Sequence, residues 1–272
     1  MTRAVCPITR ATTADVQAVA HLVAEAFCPL RASQWLVPDP ESRRAAMAGQ
    51  FAILVEHALT FGHVDLLADA TAAAVWFHRT QPIPAPAEYD QRLTTACGEA
   101  ADRFRALDAL FAAHHLNQPH HHLAMLAVAF DHQTTGRGTR LLRHHHEVLD
   151  DQDIPAYLEA AEARSAKLYH REGYRPVAEP FSLPNEAFFY PMWRNPTQRR
   201  SAASRDPRTG SPTARNTIDT IDTIDTSADR RARPAATTPS PPTGRQPPGF
   251  SPPIPRPAGG SQRLSRSQDQ MS

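Results

Sequence analysis

Apolar residues recur along the first 194 positions with two periods, one typical of helices and one typical of strands. Near the start, Val16, Val19, Leu22, Val23 and Ala26 repeat at helical spacing and would lie on one face of a helix. Further on, the neighbouring apolar stretches "HVDLLAD" and "TAAAVWFHR" predict a hairpin or an adjacent strand pair. The stretch "HHHLAMLAVAF" predicts a largely buried strand.

The remaining periodic segments complete an alternating order of helices and strands. A glycine-containing turn follows the buried strand and precedes a helix that ends near residue 152. Because the two kinds of element alternate, the predicted fold class is α/β (α+β), a sheet with a strand–loop–helix–strand unit at its centre. The other predicted elements are an extended piece at residues 7–10, helices at 40–59, 88–114 and 165–171, and strands at 155–160, 174–177 and 187–193.

The composition changes at about residue 195. From Asn195 onward the chain is rich in Pro, Ser, Thr, Arg and Gly, with few large apolar residues and a tandem "TIDTIDTID". Such a segment buries too little apolar surface to offset the entropy that it loses on ordering. We therefore expect one domain at residues 1–194 and a disordered tail at residues 195–272.

Charge is distributed unevenly between these two parts. Residues 1–194 carry 17 Lys and Arg against 22 Asp and Glu, a net charge of −5, and the tail carries 12 Arg against six Asp, a net charge of +6. An acidic domain argues against nucleic acid as its substrate and favours a cationic small molecule. The sequence has no signal pattern and no apolar run that would span a bilayer, so we expect a cytoplasmic protein without a membrane partner.

Two glycines stand one residue apart between the buried strand and the next helix, in "QTTGRG". Glycine lets the backbone approach a bound group closely, and the first amides of a helix have no partner of their own. An anion is therefore the expected guest of this turn.

Three phosphate-binding loops compete for these glycines. A P-loop requires lysine after its last glycine, whereas Arg137 lies between the two glycines and the only lysine of the chain is Lys167. A dinucleotide loop requires a third glycine where Leu141 stands, although Glu159 lies about 20 residues on, where a carboxylate for the ribose would be. The dinucleotide loop stays an alternative, and a coenzyme A loop is the third candidate.

The third candidate matches more residues. The stretch "QTTGRG" fits the Gln/Arg-x-x-Gly-x-Gly/Ala signature of the GNAT acetyltransferases, and "YLEAAEARSAKLYHREGYRPV" resembles the second block of that superfamily. The segments "DHQ", "PAYLEA" and "VPDPESR" look similar to puromycin N-acetyltransferase-like members. The resemblance covers most of residues 7–194 and is specific at residues 123–174. It implies a GNAT-type mixed, mostly antiparallel twisted sheet flanked by helices, with a central strand–loop–helix–strand coenzyme A unit.

The resemblance also implies acetyl-CoA as the acyl donor. Amides at the glycine turn would hold its pyrophosphate, and its pantetheine arm would pair with the backbone after the fourth strand. One departure is Thr134, since the family often has glycine there, and it predicts a slightly altered loop. The predicted coenzyme-binding residues are Leu126, Ala127, Val128, Gln133, Thr134, Thr135, Gly136, Arg137, Gly138, Thr139 and Ser165.

Amine acetylation needs a base to deprotonate the ammonium and an acid to protonate the departing thiolate. Tyr169 is the predicted acid because it matches the family's tyrosine next to the coenzyme sulfur, and a packing role is the alternative. Glu159 is the predicted base, since it ends a strand beside the cleft, where burial would raise the pKa of a carboxylate toward neutrality. A structural carboxylate is the alternative there. Ser165 stands where the family commonly has Asn, and helix capping is favoured over a contact with the pantetheine.

Two runs of three histidines occur, at residues 120–122 and 144–146. Adjacent residues on a helix point about 100° apart, and on a strand they alternate between faces, so neither run is expected to converge on one ion. No metal is predicted. A solvated helix face is expected at residues 144–146 and a surface strand edge at residues 120–122, with one of the latter on the acceptor side as the alternative.

Three candidate functions follow. The first is an acetyl-CoA-dependent N-acetyltransferase that acts on the amine of a small molecule by direct attack in a ternary complex, an aminonucleoside-type antibiotic being one candidate. The second is a catalytically inactive acyl-CoA-binding sensor or scaffold of the same fold, and a dehydrogenase is the third. The expected partners are coenzyme A and a small amine, without nucleic acid, and the expected assembly is a monomer or homodimer.

Overall fold

The computed structural model describes residues 6–197, so the predicted disordered tail lies almost entirely outside the described residues. The helices are α1 (Val16–Phe27), α2 (Arg31–Leu36), α3 (Pro40–Phe61), α4 (Tyr89–Cys97), α5 (Ala101–His114), α6 (Arg137–Gln152) and α7 (Ala163–Arg171). The strands are β1 (Ile8–Arg10), β2 (Gly62–Leu67), β3 (Ala72–Arg79), β4 (His120–Val128), β5 (Ala156–Ala160), β6 (Arg175–Pro176), β7 (Phe181–Ser182) and β8 (Phe188–Arg194).

Several helix boundaries follow from local chemistry. Asp39 caps α3 by accepting bonds from the amides of Glu41 and Ser42, with Pro40 as the first helical residue. The helical segment predicted at residues 88–114 is divided into α4 and α5, because Gly98 adopts a left-handed conformation with φ of +53°. The short elements α2 and β7 carry too few residues for a periodic signal and were not predicted.

The strands described within residues 6–197 form one sheet in the order β1-β2-β3-β4-β5-β8-β6, with β7 paired to β8. Neighbouring strands run antiparallel except β4 and β5, which are parallel. The predicted hairpin is confirmed as β2 and β3, with Val64 opposite Val75. Because α6 connects the two parallel strands, the predicted central unit of strand, loop, helix and strand is confirmed as well.

Helices cover both faces of the sheet and create two cores. Val19 and Val23 of α1 and Val55 of α3 are fully buried on one face. Leu141 of α6 is fully buried against Trp76 of β3 on the other. Each such side chain contributes about 1.5–3 kcal/mol of burial free energy. The two faces are named below by the helices that cover them, the α1/α3 face and the α6 face.

The last described residues remain bonded to the domain. Beyond the predicted boundary at residue 194, the amide of Thr197 donates to Asp150 Oδ1 at 2.8 Å, and Asn195 accepts from the indole of Trp193 at 2.9 Å. The folded part therefore continues to the last described residue.

No helix within residues 6–197 combines the length and apolarity needed to cross a bilayer.

Candidate functional site

A gap opens between the two parallel strands at the centre of the sheet. Within the described residues, β4 pairs with β5 only where His121 meets Ala156 and His122 meets Tyr157. Beyond that point β4 continues beside β3, whereas β5 continues beside β8. The two strands therefore diverge toward their carboxyl ends, at the edge where α6 begins.

The carboxyl half of β4 turns main-chain polar groups into this gap. The amide of Ala129 donates to Thr71 on the β3 side at 2.8 Å. Since successive residues of a strand alternate, the N–H and C=O of Val128 and Leu126 point away from β3, and those of Ala127 point toward it. Of the three strand residues predicted to contact coenzyme, two thus face the gap with their backbone.

The glycine turn leaves a set of amides without partners at the start of α6. Gly136 is the residue that precedes the helix, with φ of +83°, and it has no side chain to cap it. The first helical bond at this end is donated by Arg140 to the carbonyl of Gly136 at 3.0 Å. The amides of Arg137, Gly138 and Thr139 therefore have no helical acceptor. A Cβ at Gly136 would meet no heavy atom within 4 Å, so the space there is open.

The second glycine has a packing role. A Cβ at Gly138 would lie 3.4 Å from Leu126 Cδ2 and 3.5 Å from Val128 Cγ2, so bare backbone lets α6 approach β4 closely. Leu141, where a dinucleotide loop would need its third glycine, is fully buried in the core. The close approach of helix and strand thus occurs at Gly138, and not at the position that the dinucleotide pattern requires.

Side chains of the loop bond to the loop itself. Thr135 Oγ1 donates to the carbonyl of His132 at 2.5 Å, and Gln133 Nε2 donates to the carbonyl of Val128 at 3.4 Å. Thr134 adopts a left-handed conformation with φ of +62°, which explains why glycine is common at this position in the family that the sequence resembles. The altered loop expected at Thr134 therefore takes the form of backbone strain, with the main chain still in a turn.

The side chain of Arg137 anchors the turn to the β2–β3 hairpin. Its Nη1 lies 2.7 Å from Asp69 Oδ2 and 2.8 Å from Thr71 Oγ1. The hydroxyl of Thr71 and the guanidinium of Arg137 hold the pKa of Asp69 well below its usual range. Arg137 therefore offers a ligand its main-chain amide, since its cationic group is already paired.

Glu159 lies on β5 between two histidines, with its side chain only 4% exposed. Its Oε2 is 2.8 Å from His122 Nε2, and its Oε1 is 3.4 Å from His115 Nδ1. Burial raises the pKa of Glu159, but the two histidines together outweigh it, and the pKa lies well below the usual range. The expectation of a pKa raised toward neutrality is therefore wrong, because the sequence did not reveal the two imidazoles. A carboxylate buried to this extent is not accessible to a ribose.

Each of the two histidines keeps one ring nitrogen free. No described residue bonds to His122 Nδ1 or to His115 Nε2. Burial lowers the pKa of His115, although Glu159 acts in the opposite direction. A neutral imidazole that donates one N–H to a carboxylate has a lone pair on its other nitrogen, and the carboxylate stabilises the imidazolium after proton uptake. His115 follows α5 directly, and sequence spacing does not connect it with Glu159.

Tyr169 and Ser165 lie on α7, which packs against β5 and β8. The ring of Tyr169 stands edge-on to Tyr174 at 5.8 Å and packs, partly buried, against the core of the α6 face. Burial raises the pKa of Tyr169, and its hydroxyl forms no hydrogen bond with another residue within 6–197, so it is a protonated donor without a partner. Ser165 is the third residue of α7, and the residue before the helix is Glu162, so the expected capping role of Ser165 is wrong.

The expectations for the histidine runs are mostly wrong. On α6, His145 and His146 are 1% and 5% exposed, and only His144 lies at the surface. On β4, His120 and His121 are 0% and 5% exposed. The reason is that β4 is central in the sheet and α6 turns two of its histidines inward. Alternation along β4 does hold, since His121 contacts His145 on the α6 face whereas His122 contacts Glu159 on the opposite face.

Comparison with known proteins identifies the fold. No protein-family model matches the chain. A crystal structure described as histone acetyltransferase HPA2 and related acetyltransferase, from Corynebacterium glutamicum, shares 26% sequence identity and a TM-score of 0.54, over 71% of this chain and 97% of that chain. The chain therefore has the mixed, mostly antiparallel fold of the GNAT acetyltransferases, and it is an acetyltransferase by class.

Two further solved structures match with lower scores. An N-acetyltransferase from Staphylococcus aureus shares 11% identity and a TM-score of 0.48, over 69% of this chain and 99% of that chain. PaiA N-acetyltransferase from Thermoplasma acidophilum, in complex with coenzyme A, shares 9% identity and a TM-score of 0.42, over 70% of this chain and 98% of that chain.

Proposed function

We propose that this acetyltransferase uses acetyl-CoA to acetylate the amine of a small molecule, by direct attack within a ternary complex. The observation that carries the proposal is the row of unpaired amides at the start of α6, next to a gap in the sheet that exposes the backbone of β4. A helix start binds anions because its amides and its dipole both favour negative charge. The pyrophosphate of coenzyme A is such an anion.

The backbone of β4 supplies the second contact with the coenzyme. Leu126 and Val128 direct their main-chain groups into the gap, where the amide groups of the pantetheine arm pair with them as a short strand would. The carbonyl of Val128 already accepts from Gln133, so its amide is the available donor. A donor fixed beside the thioester carbonyl stabilises the oxyanion that forms during transfer, an effect worth about 3 kcal/mol in other acyl-transfer enzymes.

Tyr169 protonates the sulfur that departs. Its raised pKa keeps the hydroxyl protonated, and the hydroxyl has no partner within residues 6–197 that would compete for it. Tyr169 lies on the α6 face of β5, whereas the side chain of Glu159 points to the opposite face. The gap between β4 and β5 connects the two faces, so coenzyme and acceptor approach it from different sides.

The proton of the attacking amine goes to the pair formed by Glu159 and His122. Glu159 accepts from Nε2 of His122, which leaves Nδ1 as the atom that takes the proton. Glu159 is thus the carboxylate of the base, and His122 is the group that contacts the ammonium. The acidic surface of the domain favours a cationic acceptor, in agreement with an amine.

The test is thiol release from acetyl-CoA by the full chain, measured against a panel of small amines that includes puromycin. We expect turnover with at least one amine and none without an acceptor. Coenzyme binding without turnover on any amine would contradict the catalytic proposal and identify an inactive coenzyme-binding protein instead. Turnover on simple amines but not on puromycin would exclude the aminonucleoside as acceptor.

A further inference from the structure

A buried polar cluster lies between β2 and α6, on the α6 face and away from the gap. It contains His63 and Asp65 of β2 and His145 of α6, which are 9%, 0% and 1% exposed. One donor atom of each residue lies within 4.8 Å of the donor atoms of the other two. Two imidazoles and a carboxylate are thus brought together from elements that are far apart in the sequence.

Each of the three side chains carries a buried polar atom without a hydrogen-bond partner among the described residues. These atoms are His63 Nε2, Asp65 Oδ2 and His145 Nδ1. A buried polar atom without a partner costs about 1–3 kcal/mol, and more for a charged group. Three such atoms together indicate that something not made of protein completes the site.

The opposite atoms of the same side chains are all held by neighbours. His63 Nδ1 lies 2.8 Å from His78 Nε2, and His145 Nε2 lies 3.0 Å from His121 Nδ1. Asp65 Oδ1 accepts from Arg10 at 2.7 Å. Metal-binding histidines and carboxylates have this arrangement, in which an outer partner orients each group and leaves its other atom for the ion.

We propose that His63, Asp65 and His145 bind one divalent transition-metal ion of the Zn²⁺ type. Nitrogen and oxygen ligands suit Zn²⁺, whose bonds of about 2.1 Å place two tetrahedral ligands roughly 3.4 Å apart. His63 Nε2 and Asp65 Oδ2 are 3.3 Å apart. The fourth position falls to water or to His144, whose Nε2 lies 4.0 Å from Asp65 Oδ1 at the half-exposed edge of the cluster.

A second group of three possible ligands, His115, His122 and Glu159, differs in the direction of its short contacts. Both carboxylate oxygens of Glu159 already face an imidazole nitrogen, at 2.8 Å and 3.4 Å. Those contacts hold the carboxylate inside the group, and one buried atom of each residue, Glu159 Oε1, His115 Nε2 and His122 Nδ1, has no hydrogen-bond partner among the described residues. In the cluster of β2 and α6, the short hydrogen bonds lead outward, to His78, His121 and Arg10.

A metal ion at this place would connect β2 to α6 across the face of the sheet. The loop that precedes α6 carries the amides of the coenzyme site, so the ion would stabilise the helix that positions them. The role is structural, because the cluster does not border the gap between β4 and β5. The proposal does not depend on acetyl transfer and is tested without it.

The test uses the full chain after treatment with a chelator, titrated with Zn²⁺ against a chromophoric competitor. We expect one equivalent to bind and to raise the melting temperature. His63→Gln and Asp65→Asn should each weaken binding by more than a hundredfold, and His78→Gln by about 10–100-fold, as losses of outer partners do. His21→Gln, on the exposed side of α1, and His115→Gln serve as matched controls and should bind as the unchanged chain does.

Two results would overturn the proposal. The first is that the unchanged chain binds no ion. The second is that binding survives both His63→Gln and Asp65→Asn, or disappears in His115→Gln, which would place the ion elsewhere. Circular dichroism confirms that each variant is folded. The visible spectrum of bound Co²⁺ reports tetrahedral coordination independently of stability.

Discussion

Replacing Thr134 by glycine should stabilise the protein, although it removes a side chain. The left-handed conformation at Thr134, with φ of +62°, costs an L-residue about 1–2 kcal/mol, whereas glycine adopts it without strain. Glycine also gains freedom in the unfolded chain, which offsets about 0.4–1 kcal/mol of that benefit. The side chain of Thr134 makes no hydrogen bond with residues 6–197. The net expectation is a gain of about 0.5–1 kcal/mol, or roughly 2–3 °C in melting temperature.

The neighbouring residue provides a matched control of opposite sign. Thr135 has no positive φ, and its hydroxyl donates to the carbonyl of His132 at 2.5 Å. Thr135→Gly therefore loses a hydrogen bond and gains unfolded-state freedom, and it should cost about 1–2.5 kcal/mol. Thermal unfolding of the two variants, side by side, measures the difference. If Thr134→Gly were as destabilising as Thr135→Gly, the strain assigned to this loop would not exist.

Three further predictions concern the acid, the base and a buried histidine. Tyr169→Phe should lower turnover about a hundredfold with unchanged coenzyme affinity, because it removes the proton donor to sulfur. Tyr174→Phe is the matched control, since Tyr174 is a buried tyrosine bonded to His146, and equal rates in both variants would exclude Tyr169 as the acid. Glu159→Gln should lower turnover at least about tenfold in steady-state assays, because His122 loses its orienting carboxylate. Glu162→Gln at the surface should not lower it, and equal turnover in the two variants would show that Glu159 is not part of the catalytic base. Burial lowers the pKa of His120 to about 4, below its ordinary 6.5, so only the unfolded chain takes up this proton between these pH values. Between pH 6.5 and about 4, the free energy of unfolding should therefore decrease by about 1.4 kcal/mol for each unit by which the pH is lowered. Urea unfolding of His120→Gln should show a pH slope smaller by that amount, and an unchanged slope would contradict the assignment.

The sequence predicted the fold well where a local signal exists. Helical spacing located α1 and α3, and the apolar stretches located the hairpin of β2 and β3. The glycine signature located the turn before α6, because positive φ at Gly136 and close packing at Gly138 require glycine for separate reasons. Such features depend on neighbours in the sequence, and a single chain reveals them.

The histidine clusters depend on contacts between distant elements, and the sequence did not predict them. His145 meets His63 and His121 only because α6 packs on β2, β3 and β4. The pKa of Glu159 was predicted wrongly because its partners are also distant in the sequence. His115 lies just after α5 and becomes a neighbour of Glu159 only in the folded sheet. Burial can be estimated from a pattern, but the partners of a buried charge cannot.

We propose that unpaired amides at the start of α6 hold the diphosphate of coenzyme A. Calorimetric titration of the full chain with coenzyme A, dephospho-coenzyme A and pantetheine tests it most directly. The first two should bind alike, because both carry the diphosphate. Pantetheine should bind at least about a hundredfold more weakly, since two hydrogen bonds to a charged group together contribute about 3 kcal/mol or more. Equal affinity for pantetheine and coenzyme A, or binding of NAD in place of coenzyme A, would contradict the claim.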